Sequence, residues 1–313
     1  MINVDHEITS DRTAEGALIG AILVFGINYP LLKSLLTDVS PHVLNALRFT
    51  ASAGALVVLF RHRIAGSIRT ILRNKLLLFG LAVLGYFVSP MLLLFGMEYS
   101  SASNAALILA GAPIWTAVLS WLLSVERIGL KGWIGLVTST IGLIVVTFPI
   151  GMIDVSTERQ FGNLLLLGDS ICWGSYVALQ KNLIDRIGPF ETSFWSLVIV
   201  LPFFYVLSIG SLSVEVVVSF SWLVWLGILF SGIFSMGLAH LWWNIGVQSL
   251  GPTTVSVYSN GIPLVSVLIG WFLLGEYVGL RHFAGGLTLL LGVWLARNDR
   301  IRRGQEKLGL PES

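Results

Sequence analysis

Of 313 residues only one is cysteine, Cys172, and only 12% are charged, about half the share of a soluble domain. A single thiol excludes an intramolecular disulfide framework and offers no metal-binding spacing. A cleavable leader is not expected either, because Asp5, Glu7, Asp11 and Glu15 outnumber Arg12 in the first fifteen residues. Such a leader needs a basic start and a short apolar core, so the first apolar run reads as a retained helix. What takes the place of charge is hydrophobic: 55% of residues, with a mean hydropathy of +0.84.

The apolar residues come in runs near the ~20 needed to cross a bilayer. They fall at about 16–36, 42–60, 76–97, 103–123 and 131–149, then at about 161–180, 190–210, 221–243, 252–274 and 281–297. The reading is an all-α polytopic membrane protein with ten spans. Tails at 1–15 and 298–313 are charged and expected to be flexible and cytoplasmic. With the N-terminus inside, fifteen lysines and arginines lie on the inner side. The outer loops hold only Arg159 and Arg281, so both termini are expected in the cytoplasm. The basic residues thus serve topology rather than nucleic-acid binding, and Trp222 and Trp225 suit an interfacial aromatic belt.

The chain also repeats itself. "ALILAGAPIWTAVLSWLLSVERIGL" from Ala106 aligns without a gap on "SVYSNGIPLVSVLIGWFLLGEYVGL" from Ser256. The 150-residue offset pairs Gly111 with Gly261, Pro113 with Pro263, Trp121 with Trp271 and Glu126 with Glu276. At an offset of 148, "FGINYPLLK" (25–33) lies over "WGSYVALQK" (173–181), and Pro41 over Pro189. Each copy, 16–150 and 161–297, holds five spans. Five is odd, so the second copy enters the membrane from the opposite side: two inverted five-helix repeats, the architecture of secondary transporters.

These pieces, with "PHVLNALRF" and the closing "GWFLLGEYVGLRHFAGGLTLLLGVWLA", resemble the EamA-type family of the drug/metabolite transporter superfamily over about residues 16–297. The resemblance implies a ten-helix inverted-repeat carrier, usually an exporter of amino acids or other small metabolites. The expected setting is a plasma or bacterial inner membrane, with a small-molecule substrate and the lipid bilayer as partners. The expected protein is a monomer or weak homodimer, without cofactor or nucleic-acid partner.

Several polar residues sit where apolar ones are cheaper. Asp169 lies about eight residues into its span, where a carboxylate costs about 2.5–3.5 kcal/mol on insertion scales. Trp173, Tyr176 and Gln180 follow four, seven and eleven residues later on the same helical face. This stripe reads as cavity lining, with Asp169 a counter-charge for an amine or the carrier of a coupling proton. Arg48 is expected to meet an acid or an anionic substrate group, and Lys33 to snorkel to the interface. Asn28 and Asn260 stand open between helix glue and substrate contact. His240, beside Trp243 and Asn244, stands open between packing and proton relay. Pro113 and Pro263, at equivalent depth, predict kinks that free carbonyls towards a central cavity.

Two other function classes remain. An intramembrane enzyme needs a nucleophile–base pair or clustered metal ligands, and no recognisable spacing of either kind occurs. A structural membrane subunit would show no substrate-dependent flux.

Overall fold

A computed structural model describes residues 4–100, 108–109, 111–125, 127–147, 157–262, 264–265 and 280–308. The described residues form helices and short connections: α1 (Val4–Leu35), α2 (Pro41–Arg73), α3 (Lys75–Tyr99), α4 (Ala112–Leu122), α5 (Leu130–Thr147), α6 (Thr157–Ile187), α7 (Pro189–Ser208), α8 (Trp222–Leu250), α9 (Pro252–Ser259) and α10 (Leu280–Leu308). Five of them contain stretches long and apolar enough to cross a bilayer: Arg12–Leu35, Pro41–Ile64, Lys75–Tyr99, Pro189–Ser208 and Trp222–Leu250. Bulky apolar side chains such as Val58, Leu76 and Ile209 point away from the protein, as lipid-facing residues do.

Helix starts follow local chemistry. α2, α7 and α9 each open on proline, whose missing N–H lies where a helix has no internal partner for it. The turns before α7 and α9 need Gly188 at φ +95° and Gly251 at φ +84°, a region that side chains with a Cβ disfavour.

Elements about 150 residues apart play matching parts. α3 packs on α6 as α8 packs on α1, while α2 packs on α7, α4 on α9 and α5 on α10. In the middle of α3 the chain widens into a π-helical stretch at Val83–Val88, and α8 does the same at Ser231–Ala239. The 150-residue offset lays one on the other. α5 and α10 meet with almost nothing between their backbones. A Cβ added at Gly142 would run into Leu289 N and Gly285 O, and one at Gly292 into Ser139 N and Gly135 O. Gly135 and Gly142 are the repeat partners of Gly285 and Gly292. Close approach through small residues is how membrane helices gain packing that lipid would otherwise supply equally well.

The ends differ from the sequence expectation. Helix runs through residues 4–15 and 298–308 rather than flexible tail. Glu15 accepts from Arg297 Nε at 2.6 Å and from Nη2 at 2.9 Å, clasping α1 to α10. Asp299, buried, accepts from Gly129 N at 3.1 Å, placing an anion at the N-terminal end of α5, where the helix dipole favours it. Tertiary contacts of this kind override a polar composition. Lys33 also departs from expectation. It donates from Nζ to Met97 O at 2.6 Å, capping the C-terminal turn of α3 instead of snorkelling. Its repeat partner Lys181 pairs with Asp185, one turn along its own helix, at 2.6 Å.

Candidate functional site

Two opposite charges are buried in the bundle, and neither is paired with the other. Asp169 on α6 is 3% exposed, and its Oδ1 accepts from Ser89 Oγ at 2.5 Å. Ser89 stands on α3 immediately after the π stretch. Arg48 on α2 is 2% exposed; Nε donates to Asn45 Oδ1 at 2.8 Å, and Nη1 makes a long contact of 3.5 Å to Ser231 Oγ. Ser231 opens the π stretch of α8. Each π stretch therefore brings a serine hydroxyl to one charge. Gly232 permits this on the α8 side, because a Cβ there would meet the backbone carbonyl of Arg48.

Tyr29 on α1 is within electrostatic reach of both Asp169 and Arg48. Among the described residues neither charge has an ion-pair partner. A buried ion without a counter-ion is costly, and the two serines and one amide compensate only in part. The arrangement suits a ligand that brings one charge of each sign.

An aromatic wall adjoins Asp169 on the side that α6 descends towards its C-terminus. Trp173 lies 5.8 Å from His240, 5.7 Å from Trp243 and 5.4 Å from Tyr176 between ring centroids. Tyr86 on α3 meets Tyr176 at 5.7 Å and His240 at 5.4 Å, and Phe25 on α1 closes on His240 at 5.1 Å. Gly85 lets the Tyr176 ring lie against α3, since a Cβ would overlap it. His240 Nδ1 is 2.9 Å from Ser235 O; a carbonyl only accepts, so Nδ1 carries the proton. Among the described residues the buried Tyr86 hydroxyl has no hydrogen-bond partner, and Asn244 Nδ2 donates to Ser193 Oγ at 2.8 Å. Among the described residues, Asn28 Oδ1, both amide atoms of Gln180 and Trp243 Nε1 are buried without a hydrogen-bond partner, a condition that ordered water or a ligand relieves.

Trp173 and Tyr176 of the predicted stripe are thus brought together with His240 and Trp243 beside Asp169, while Gln180 is buried farther along the same helix. Arg48 joins through the electrostatic reach of Tyr29, and among the described residues no acid pairs with it. Asn260 does not join: its Nδ2 donates to Ser139 Oγ on α5 at 2.9 Å, an interhelical tie. Pro113 lies in the first turn of α4 behind Gly111, so it opens a new helix rather than kinking a continuous one. There its missing N–H leaves no helical bond unmade. Pro263 lies outside the described residues. Ser89, Ser231 and Tyr86 escaped the sequence reading. The only signal for them is glycine, at Gly85 and Gly232, recurring inside otherwise aliphatic runs.

The model of the EamA-like transporter family matches residues 12–148 and again 160–297. Two similar proteins, both called uncharacterized transporters, are YyaM of Bacillus subtilis and one from Archaeoglobus fulgidus. The first is 25% identical over 89% of this chain and 92% of its own length. The second is 26% identical over 89% and 96%. A crystal structure, 19% identical, superposes with a TM-score of 0.76 over 91% of this chain and 97% of its own, a likeness of fold. A family model matched twice over most of an all-helical chain places this protein in the EamA-like transporter family, as a membrane transporter.

Proposed function

We propose that this protein is a secondary-active exporter of small metabolites of the amino-acid or amine class, working by alternating access across the cell membrane. The observation that carries the reading is the buried, mutually unpaired couple of Asp169 and Arg48, both within electrostatic reach of Tyr29. Asp169 answers an ammonium group and Arg48 a carboxylate, whose planar geometry the guanidinium fork matches. The aromatic wall of Trp173, Tyr176 and His240 then lies beside whatever side chain the substrate carries. Asp169 is also the group placed to carry a coupling proton.

The exporter is a ten-span protein built as two inverted five-helix repeats. The matched packing partners, the paired π stretches and the paired glycines of α5 and α10 support that design, as does the distribution of basic residues. Reporter fusions after Arg73 and Ser313 should both read cytoplasmic, and a fusion after Ile153 external. Any reversal breaks the inverted arrangement.

Arg48→Gln separates the substrate's two ends. In proteoliposomes, flux of zwitterionic amino acids should fall by about tenfold or more, the loss expected for one charge-assisted hydrogen bond, while flux of matched amines lacking a carboxylate is spared. Equal loss for both classes, with normal folding, would remove Arg48 from the substrate contact and leave it as a structural cation.

A further inference from the structure

The C-terminal third of α2 reads differently from a membrane span. α2 has 33 residues, about 50 Å of helix against a hydrocarbon layer of about 30 Å. At Phe60 the backbone leaves helical geometry, with φ −128° and ψ 23°, and the chain beyond it continues as a second helical segment. That segment is basic and lacks acid. Arg61, Arg63, Arg69, Arg73 and Lys75 fall within fifteen residues, and no aspartate or glutamate occurs anywhere between Asp38 and Glu98.

Its two faces differ. Ile71 is buried against the core and Ile64 packs on it, while Ile68 (50% exposed) and Leu72 (63%), one turn apart, are turned outwards, as is Leu76 (82%) at the start of α3. Arg61 and Arg73 are exposed as well, as is Lys75 where α3 begins. Arg63 lies over the Phe190 ring, 5.7 Å from its centroid. Among the described residues no ion pair reaches Arg61, Arg73 or Lys75. An anchored helix whose outward surface carries isoleucine and leucine among cations without ion-pair partners matches the boundary between acyl chains and charged headgroups.

We propose that residues 61–75, bent away at Phe60, form a binding surface for anionic phospholipid on the membrane leaflet they face. Ile68, Leu72 and Leu76 enter the acyl region, and Arg61, Arg73 and Lys75 meet the phosphates. The charge complementarity is one-sided: five cations and no competing carboxylate. Each such cation near an anionic leaflet multiplies affinity on the order of fivefold. This inference stands independently of the transport reading.

The test uses the full-length protein in nanodiscs of phosphatidylcholine with or without one-third phosphatidylglycerol, released for native mass spectrometry. The wild type should retain phosphatidylglycerol in preference to phosphatidylcholine, and half-molar salt during exchange should weaken the preference. The triple variant R61Q/R73Q/K75Q should lose it by on the order of tenfold or more. The charge-keeping variant R61K/R73K should not, which separates lost charge from lost folding. Ile68→Ser with Leu72→Ser, which keeps every cation, should weaken retention of both lipids. Equal retention of the two lipids by the wild type, or an unchanged preference in the triple variant, overturns the proposal. So does a triple variant that keeps its lipid preference and loses a co-purifying protein, because the face then docks protein.

Discussion

Asp169→Asn should abolish net transport while the protein inserts and accumulates as well as the wild type. Asparagine keeps the size of the side chain and can still accept from Ser89, so the geometry at α3 survives. What disappears is the only carboxylate on this face of the site among the described residues. Loss of a charged contact of roughly 3 kcal/mol corresponds to about a hundredfold in rate. Insertion should be level or improved, because a neutral amide is cheaper in the bilayer than an acid. The variant also separates the two roles open to Asp169. A lost counter-charge shows as weak substrate binding. A lost proton carrier leaves binding and substrate exchange intact while net, pH-driven flux fails. Ser89→Ala, which removes the hydroxyl held 2.5 Å from Oδ1 but leaves the charge, should cost less than Asp169→Asn. Normal transport by Asp169→Asn with its pH response preserved removes Asp169 from the site and makes it interhelical glue.

The second large effect lies away from the site. Gly142→Ala should destabilise the whole bundle, although alanine is ordinarily the better helix former. The new methyl would meet Leu289 N and Gly285 O, both backbone atoms, which cannot turn aside as a side chain does. Overpacking against a rigid neighbour costs on the order of 3 kcal/mol. In detergent this should lower the melting temperature by roughly 6–10 °C. Gly292→Ala, facing Ser139 N and Gly135 O, should match it. Gly54→Ala and Gly80→Ala, with open space where the methyl would go, should be neutral or mildly stabilising. If Gly142→Ala melts with those controls, α5 and α10 are not closely apposed.

The parts of the site legible in sequence were those that broke a strong expectation. A carboxylate and a guanidinium inside apolar runs stand out because burial makes them expensive, and helical periodicity then collects Trp173, Tyr176 and Gln180 beside Asp169. The π stretches did not stand out. "VLGYFV" has no feature that separates a wide turn from an α-turn, since both use nearly the same backbone angles. Ser89 and Ser231 are ordinary membrane serines until those stretches aim them. Charged ends were read as flexible because composition reports solvation and not tertiary contact. The Glu15–Arg297 clasp and the burial of Asp299 depend on where the last helix returns, which local pattern does not encode. Asn260 shows the opposite limit. Depth and polarity suggested the cavity, but those properties describe an interhelical tie equally well.

The clasp between α1 and α10 also bears on the connectivity of the molecule. With Glu15 held by Arg297, the first and last helices of the chain meet, and the α5–α10 seam joins the final helix of one copy to that of the other. The halves are therefore joined here, as they are where α1 meets α8, α2 meets α7 and α3 meets α6, by surfaces that owe nothing to the peptide running between them. That peptide mainly raises the local concentration of one half about the other, a service needed during assembly more than in the finished protein.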